Sequence, residues 1–220
     1  MDTIHRIHKI DHSIYGDIYV FDDKDYITAA IGKDTIWEDP LCQVIANYYV
    51  EGTDMLDIGA NIGLNSIRAH QTKPITGTIH LFEPQSDVFT MMSYNTRHLP
   101  TKLYNFAVSN THSVMTFEQN IGNIGATSMT TAPNRTHVAS VPLDTIKFNN
   151  PISVIKMDVE GAEYEALEGA KKIFAQHQPA LIIELWIENY DKTIALLNAM
   201  GYEQTQVVGE ADYLFLPVSK

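Results

Sequence analysis

The sequence predicts an α/β fold in which a mostly parallel sheet is covered by helices on both faces. Patterns typical of buried strands alternate with helical patterns along most of the 220 residues, and 45% of the residues are hydrophobic. A glycine-containing turn follows the first strand of this alternating part. Near the carboxyl end a helix is followed by two strands. Together these observations predict an open sheet with a hairpin at one edge, in which one strand runs antiparallel to the others.

The amino-terminal part is predicted to form a small extension, residues 1–36, ahead of the main domain at 37–220. Residues 14–21 and 26–31 alternate like short strands, and a cluster of aspartates between them is typical of a hairpin turn. The extension should therefore contain an antiparallel strand pair.

The main domain is predicted to alternate helices and strands, because apolar runs are separated by turn residues at regular intervals. Pro40 suits the first turn of a helix, and Ser86 suits a helix cap. The predicted order is helix 37–50, strand 53–59, helix 61–70, strand 77–84, helix 86–98, strand 102–108, strands 114–119 and 137–143, strand 152–158, helix 163–175, strand 179–186, helix 190–200, and strands 202–208 and 212–218.

Composition restricts the partners and the compartment. The formal net charge of −12 argues against nucleic acid as a partner, since such binding relies on Lys and Arg. Cys42 is the single cysteine, which fits a reducing compartment. No apolar run approaches about 18 residues, and the first residues lack the apolar core of a signal peptide. We therefore expect a soluble cytoplasmic protein without a membrane partner; the oligomeric state is not indicated.

The stretch DIGANIG (57–63) joins a buried strand to a helix, at the place where open α/β sheets bind ligands. It lacks the middle glycine of the dinucleotide fingerprint, which Asn61 replaces. An ionised Asp57 would repel a pyrophosphate but would suit a ligand with a sulfonium and an ammonium group. S-adenosylmethionine has both and carries no phosphate, although an ordinary tight turn between strand and helix is the alternative explanation.

Two further strand ends support a nucleoside ligand. Glu83 ends the second strand in HLFEP, where a carboxylate can accept hydrogen bonds from both ribose hydroxyls. NAD would use the same feature, and a carboxylate before a helix is a structural alternative. Ala107 and Val108 end the third strand and could flank an adenine ring.

The fourth strand carries the most unusual residues. Lys156 lies within an apolar strand, although lysine is rarely buried unless it is paired. Because side chains alternate along a strand, Lys156 and Asp158 should point to the same side. Glu184 should end the neighbouring strand at the same edge, so these three residues and Glu160 should come together. A buried ion-pair network is the structural alternative.

The motifs DIGANIG, FEP, NFAVSN, LDTI, IKMDVEGAE and IIELW, in this order and spacing, resemble the FkbM family of S-adenosylmethionine-dependent methyltransferases. The resemblance extends from about Trp37 to Tyr202. It implies a class I methyltransferase (Rossmann-like) fold: a seven-stranded sheet of order 3-2-1-4-5-7-6 with strand seven antiparallel. It also implies O-methylation of a hydroxyl, commonly on sugars or polyketides.

The resemblance further implies the site residues. Asp158 and Glu160 would border the methyl-transfer site, with Lys156 beside them as a third catalytic candidate. Residues around the donor would be Asp57, Gly59, Ala60, Asn61, Gly63, Glu83, Pro84, Ala107, Val108 and Asp158.

An acceptor hydroxyl needs a base, or a metal that lowers its pKa. Asp158 is the expected base or metal ligand. Two carboxylates as close as Asp158 and Glu184 need a cation, which would be Lys156 or a bound Mg²⁺ held by both carboxylates. His137 and His177 are alternative bases if their loops fold over the site.

The acceptor is expected to be a small molecule or a glycan. Asn123 and Gly125 lie in a Gly/Asn/Ser-rich loop at 122–130 that should help to form its pocket. Glu184 and Trp186 lie at the end of the fifth predicted strand, and an aromatic ring can pack on the C–H face of a sugar. A core position for Trp186 is the alternative. An NAD-dependent oxidoreductase and an inactive cofactor-binding homologue remain as other functions.

Overall fold

The computed structural model describes residues 7–22, 25–32, 34–118 and 135–218. Its elements follow the predicted alternation of strands and helices. They are β1 (His8–His12), β2 (Gly16–Val20), α1 (Tyr26–Ile31), α2 (Asp39–Tyr48), β3 (Asp54–Ile58), α3 (Leu64–Thr72), β4 (Ile79–Phe82), α4 (Ser86–Asn95), β5 (Thr101–Tyr104), β6 (Ala107–Val108), β7 (Ser113–Glu118), β8 (Arg135–Val141), β9 (Ile152–Met157), α5 (Glu163–Glu168), α6 (Lys171–His177), β10 (Ala180–Glu184), α7 (Tyr190–Ala199), β11 (Tyr202–Val207) and β12 (Asp212–Pro217).

Seven of the described strands form the main sheet, in the order β11-β12-β10-β9-β3-β4-β5. β3, β4, β5, β9 and β10 are parallel to one another, and β12 runs antiparallel to both β10 and β11. The predicted class I methyltransferase order and its antiparallel edge hairpin are confirmed. β3 is the switch point, because the chain continues to β4 on one side and later returns to β9 on the other.

The sheet separates two hydrophobic cores, and consecutive residues of β3 point into different ones. Met55 packs in a core with residues of α2, α3 and α4, whereas Leu56 packs with residues of α5, α6 and α7. Both faces are therefore covered by helices. This is why the central strands are nearly continuous apolar runs rather than alternating ones.

The amino-terminal extension differs from the prediction. Its hairpin is formed by β1 and β2, with His8 opposite Val20, while residues 26–31 form the helix α1 instead of a strand. The Asp25 carboxylate accepts a hydrogen bond of 3.0 Å from the Thr28 backbone N–H and caps this helix. The β-branched residues in YITAAI suggested a strand, but the cap and the burial of Ile27 and Ile31 favour a helix.

Two predicted elements of the main domain are each divided in two. The helix predicted at 163–175 breaks at Gly169, where a Cβ would lie 2.0 Å from the Ser109 carbonyl oxygen, so the chain there packs directly on another backbone. The strand predicted at 102–108 ends at Tyr104, and Ala107–Val108 pair with β8 in a separate sheet of order β6-β8-β7.

Three smaller expectations can also be compared with the structure. Ser86 is the first residue of α4 rather than its cap, which is Gln85. β7 and β8 pair antiparallel, as predicted for 114–119 and 137–143. The loop 122–130 lies outside the described residues. Within the described ranges, none of the helices has the length and apolarity that a bilayer crossing would need.

Candidate active site

The turn after β3 packs against the end of β9. Gly59 has a φ of +78°, and a Cβ on it would lie 1.7 Å from the backbone oxygen of Asp158. Gly63 has a φ of +89°, and its Cβ would lie 2.6 Å from the side chain of Thr96, the residue that follows α4. Both glycines are therefore required by left-handed backbone and by close packing. The close backbone approach at Gly59, expected for a ligand, is made within the described residues by Asp158.

Glu83 holds the turn and the start of α4 together. One of its carboxylate oxygens accepts a hydrogen bond from the Asn61 backbone N–H (3.1 Å), and the other accepts one from the Gln85 N–H (2.9 Å). Glu83 is buried, and burial raises its pKa to about 7 although both hydrogen bonds lower it. Asn61 occupies the left-handed region (φ +52°), which asparagine tolerates better than most residues.

Asp57 lies beneath the turn and not on its surface. Its side chain is fully buried and accepts a hydrogen bond of 2.6 Å from the Ser66 hydroxyl. Its other oxygen is 3.7 Å from the ammonium of Lys156. Burial raises the pKa of Asp57, and the Lys156 charge and the Ser66 hydrogen bond oppose this shift. Asp57 thus anchors Lys156 from below, and neither Asp57 nor Gly63 lines the two cavities described next.

A narrow cavity follows the carboxyl ends of β3 and β4. Four of the residues predicted to surround the donor's ribose and adenine line it: Glu83, Pro84, Ala107 and Val108. Gly59, Asp158 and Glu160 line it as well, and so do Phe106 and Met115, which the sequence did not suggest.

A larger cavity, of about 560 Å³, lies on the other side of Asp158. It contains Ala60, Asn61, Glu184 and Trp186 in its lining, and it shares Asp158 and Glu160 with the narrow cavity. Two cavities that meet at the carboxyl edge of the sheet fit a two-substrate reaction, with one substrate in each cavity.

Lys156 connects the turn after β3 to Asp158 at the end of β9. Its ammonium donates hydrogen bonds to the Gly59 carbonyl (2.9 Å) and to one oxygen of Asp158 (3.3 Å), and it pairs with Asp57 from below. Burial would lower the pKa of Lys156, but the carboxylates of Asp158, Asp57 and Glu38 outweigh burial and raise it. Lys156 is therefore a fixed cation, and the predicted pairing of Lys156 with Asp158 is confirmed.

The carboxylates above Lys156 are crowded. Oxygen atoms of Asp158, Glu160 and Glu184 lie within 4.8 Å of one another, as predicted from their strand ends. Burial and the neighbouring carboxylates raise the pKa of Glu160 to about 7 and that of Glu184 to about 9. The second oxygen of Asp158 is buried and has no hydrogen-bond partner among the described residues.

Comparison with known proteins identifies the family. A family model for the methyltransferase FkbM domain matches residues 57–203, two thirds of the chain. The chain belongs to the FkbM methyltransferase family. Membership implies S-adenosylmethionine as the methyl donor and agrees with the resemblance drawn from the motifs. No curated protein sequence matches the chain.

Solved structures share the fold. The chain is similar to methyltransferase FkbM from Methylobacillus flagellatus KT, with a TM-score of 0.57 and 19% identity, over 76% of this chain and 44% of that one. It is also similar to an rRNA methylase from Streptococcus thermophilus, with a TM-score of 0.50 and 13% identity, over 81% and 94% of the two chains. The chain thus spans less than half the length of the Methylobacillus protein. These identities support the fold, and neither the acceptor nor the expected absence of a nucleic-acid partner follows from them.

Trp186 does not lie in the hydrophobic core, which was the alternative interpretation of this residue. Its side chain is 49% exposed, and its indole N–H donates a hydrogen bond of 2.9 Å to Glu184. The nearby Tyr190 is partly buried, and its hydroxyl bonds to Gln204, so it supports α7 rather than the cavity. Trp186 is therefore available at the cavity wall of this FkbM family member.

The two alternative histidine bases lie away from both cavities. The His177 ring accepts a hydrogen bond from the Ile152 N–H at the amino-terminal end of β9, whereas Asp158 follows the carboxyl end of that strand. His137 is exposed on β8, and its neighbour Val138 is the buried residue that packs with Ala107. Asn123 and Gly125, predicted in the acceptor pocket, lie outside the described residues.

The sequence did not point to several residues of the larger cavity. Trp37, Glu38 and Asp212 line it, although they lie far apart along the chain and outside the quoted motifs. The local sequence offered one weak signal for a position near a site: Trp37 and Glu38 directly precede the start of a predicted helix, which has Pro40 in its first turn. No pattern indicated that this helix start would meet the edge hairpin.

Proposed function

We propose that this chain is an S-adenosylmethionine-dependent O-methyltransferase that methylates a hydroxyl group of a sugar or glycan, with Asp158 as the base. The observation that carries the proposal is the position of Asp158 at the wall shared by the two cavities. One of its oxygens is held by Lys156 at 3.3 Å, and the other has no hydrogen-bond partner among the described residues. A carboxylate oriented by one oxygen can accept a proton on the other.

The lining of the narrow cavity suits the adenine and ribose of the methyl donor. S-adenosylmethionine supplies a methyl group already activated by a sulfonium, so the protein mainly binds and orients. The Glu83 carboxylate has lone pairs left for ribose hydroxyls beyond its two backbone hydrogen bonds. Ala107 and Val108 offer apolar surface to an adenine ring. The methionine part would lie along the turn from Gly59 to Asn61, where the narrow cavity meets the larger one, while Asp57 and Gly63 would act by holding that turn in place.

The reaction requires removal of a proton from a poorly nucleophilic hydroxyl. Asp158 accepts this proton, and Glu160, on the same wall, borders the reacting group. Lys156 is a positioning residue, because its hydrogen bonds to Asp158 and Gly59 hold the base and the turn at a fixed distance from each other. Loss of a general base lowers rates by about 10²–10⁴-fold in other enzymes.

Mg²⁺ is the alternative cation. The oxygens of Asp158, Glu160 and Glu184 form the kind of hard donor set that Mg²⁺ accepts. Lys156 already supplies a fixed positive charge beside Asp158, so we infer that the base acts without a metal. Activity that survives EDTA would support Lys156 in this role, and activity lost in EDTA and restored by Mg²⁺ would support metal ligation by Asp158 and Glu184.

The acceptor assignment rests on the larger cavity. Carboxyl groups such as that of Glu184 accept hydrogen bonds from hydroxyls, and Trp186 offers an aromatic face to a ring. The loop around Asn123 and Gly125 is proposed to complete the pocket. Comparable hydrogen exchange of 122–130 with and without S-adenosylmethionine plus acceptor would count against that role.

The decisive experiment is a methyl-transfer assay with labelled S-adenosylmethionine against free sugars, nucleotide sugars, glycans and ribosomal RNA, each with and without EDTA. Methylation of a sugar hydroxyl supports the proposal, and methylation of RNA alone refutes the acceptor class. Titrations with NADH and S-adenosylmethionine side by side test the oxidoreductase alternative. Binding of S-adenosylmethionine without turnover on any acceptor would favour the inactive homologue.

A further inference from the structure

One wall of the larger cavity comes from the amino-terminal part of the chain. Tyr26 and Ile27 of α1 contribute to it, together with Trp37 and Glu38, and we call these four residues the N-terminal wall. All four precede residue 57, where the match to the FkbM family begins. By contrast, the residues that line the narrow cavity all lie inside the matched range. The two cavities therefore differ in how far they depend on the part of the chain that matches the family.

The N-terminal wall is held in place by specific contacts. The Trp37 backbone N–H donates a hydrogen bond of 2.9 Å to the Tyr15 hydroxyl, and the rings of Tyr26 and Trp37 meet edge to face at 5.9 Å. Glu38 accepts a hydrogen bond of 2.9 Å from the Asn65 side chain of α3. A wall fixed in this way is preorganised, so binding a ligand requires little further ordering.

The amino-terminal hairpin that precedes this wall is tied to the turn of the donor site. The Asn95 side chain of α4 bonds to both the N–H (2.7 Å) and the carbonyl (3.0 Å) of Tyr19 in β2. The same amide donates a 3.0 Å hydrogen bond to the carbonyl of Ile62 in the turn after β3. The position of the amino-terminal hairpin is thus tied to the donor site.

The charges of the larger cavity disfavour anions. Six carboxyl groups line it: Glu38, Asp158, Glu160, Glu184, Glu210 and Asp212. Burial and the neighbouring carboxylates raise the pKa of Glu184 to about 9, so Glu184 is protonated at neutral pH and the negative charge comes from the other groups. Lys156 is the one basic side chain among the described lining residues, and Gly59, Asp57 and Asp158 already occupy its ammonium. A phosphate near several carboxylates costs on the order of 1 kcal/mol per close pair even when well solvated.

Aromatic side chains give the cavity a complementary apolar surface. Tyr26 and Trp186 are 59% and 49% exposed, so their rings are accessible to a ligand, and Trp37 is partly exposed beside Tyr26. Aromatic faces pack on the apolar C–H surface of a ring, while carboxylates accept hydrogen bonds from its hydroxyls or amines.

We propose that the N-terminal wall, together with Trp186, selects the acceptor, and that the acceptor is an unphosphorylated sugar ring, either neutral or carrying an amine. This inference rests on the proposed function, because it assigns the acceptor to the larger cavity. It narrows that function by excluding nucleotide sugars and phosphorylated acceptors.

A binding experiment tests the ligand class without relying on turnover. Trp37 and Trp186 are the two tryptophans of the chain, and both line this cavity, so intrinsic tryptophan fluorescence reports on it. Glucose, galactose and mannose are titrated, each as neutral sugar, amino sugar and 6-phosphate, with S-adenosylhomocysteine present. We expect a saturable change with a neutral or amino member and a weaker response to its 6-phosphate. Equal or tighter binding of the 6-phosphate, or no saturable change in any series up to about 50 mM, overturns the proposal.

Variants test the N-terminal wall itself. Tyr26→Ala, at an exposed position, and Trp37→Ala should each weaken binding of the responding sugar roughly three- to tenfold. Tyr94→Ala is the matched control, since Tyr94 is a partly exposed aromatic on α4 outside both cavities. S-adenosylhomocysteine affinity should stay unchanged in all three variants. Unchanged sugar affinity in both wall variants would overturn the role of the wall.

A charge variant completes the test. Glu38→Gln keeps a side chain that can accept the Asn65 hydrogen bond but removes one negative charge, so binding of the 6-phosphate should improve relative to the neutral sugar. An unchanged ratio counts against charge-based selection. These readouts are binding constants, so they separate this inference from the catalytic proposal. If Asp158→Asn retains full turnover, the assignment of the base fails while the sugar-binding results stand.

Discussion

The main sheet carries buried acids both at the amino-terminal ends of its strands and at their carboxyl-terminal ends, and we call these the amino-terminal and carboxyl-terminal edges. The acids at the two edges differ in how many hydrogen-bond donors they have. At the amino-terminal edge, Asp54 accepts hydrogen bonds from the Thr78 N–H (2.8 Å), the Asn150 amide (3.0 Å) and His80 (3.2 Å). Burial acts to raise the pKa of Asp54, but these hydrogen bonds outweigh it and lower the pKa. His80 continues the network to the Tyr104 hydroxyl at 3.0 Å.

At the carboxyl-terminal edge, the acids outnumber their donors. Asp158 has Lys156 on one oxygen and no hydrogen-bond partner among the described residues on the other, and Glu184 accepts one hydrogen bond from Trp186. Burial and mutual repulsion raise the pKa of Glu160 and Glu184. Polar groups that are buried and fully paired stabilise a fold, whereas acids left short of partners beside a cavity are free to act on a ligand. We therefore propose that the amino-terminal edge is structural and the carboxyl-terminal edge is functional.

The largest expected effect is that of Asp158→Asn at the functional edge. The amide keeps the size of the side chain but cannot take the hydroxyl proton, so kcat should fall by about 10²–10⁴-fold. S-adenosylmethionine affinity should stay within a few-fold of wild type, because we propose that Glu83 and the turn, and not the Asp158 charge, bind the donor. Single-turnover kinetics and calorimetry give the two values. A variant that transfers methyl groups at nearly the wild-type rate would move the base to Glu160.

Glu83→Ala should weaken S-adenosylmethionine binding by about 100-fold or more. The change removes an acceptor for the ribose hydroxyls, worth on the order of 1.5–3 kcal/mol for each charge-assisted hydrogen bond. It also frees the backbone N–H groups of Asn61 and Gln85, which the carboxylate now holds. Calorimetric titration measures the loss, and Glu83→Gln, which keeps one acceptor oxygen, should lie between the variant and wild type. Unchanged affinity in Glu83→Ala would contradict the ribose assignment.

Asp54→Asn should destabilise the fold by roughly 1.5–3 kcal/mol at neutral pH without changing kcat, because it weakens charge-assisted hydrogen bonds at the structural edge. Since folding lowers the pKa of Asp54, its contribution is present above its ordinary pKa of 3.8 and disappears as pH falls through the lower folded-state value. Urea unfolding of variant and wild type between pH 3 and 8 measures the difference. If Asp54→Asn lost activity while its stability stayed normal, the assignment of Asp54 to a purely structural role would be wrong.

Asp212→Asn should have the smallest effect and the opposite sign. Burial, and next the Glu38 carboxylate, raise the pKa of Asp212 from 3.8 to about 6. Its ionisation therefore costs stability as pH rises through about 6, and the penalty is absent below its ordinary value. The variant should be more stable than wild type by about 1 kcal/mol at pH 8, a value discounted for partial solvation. The same unfolding series checks it, and a stabilisation that grows at acidic pH would refute the argument.

Local sequence was sufficient for the strands and turns of the central sheet. Apolar runs such as 152–157 and the glycine turn at 59–63 are encoded by neighbouring residues, and the family motifs carried the strand order. The clustering of Lys156, Asp158 and Glu184 followed from strand alternation and from parallel pairing. The strands, the turn and the alternation of Lys156 with Asp158 could be predicted because each depends on a period or a spacing within a few residues, whereas the strand order and the approach of Glu184 followed from the family resemblance and the parallel topology.

Where local signals conflicted, long-range packing decided the outcome. YITAAI has the β-branched residues of a strand, yet the Asp25 cap and burial of Ile27 and Ile31 make it a helix. Gly169 separates α5 from α6 and packs on the backbone of Ser109, 60 positions earlier in the chain. Asp25 directly precedes its helix and was a local signal, whereas Ser109 could not be recognised from the segment around Gly169.

The sequence by itself thus determined the family, the sheet and the acids at its carboxyl edge. Only the tertiary structure decided that Asp57 lies beneath the turn as an anchor for Lys156, and that Trp37 and Glu38 meet Asp212 across the larger cavity. The physical reason is that burial, and the donors left to each acid, depend on side chains brought together from distant segments. The sequence shows which polar groups are present and how they are spaced, but their hydrogen-bond and ion-pair partners are determined by the packing of the folded chain.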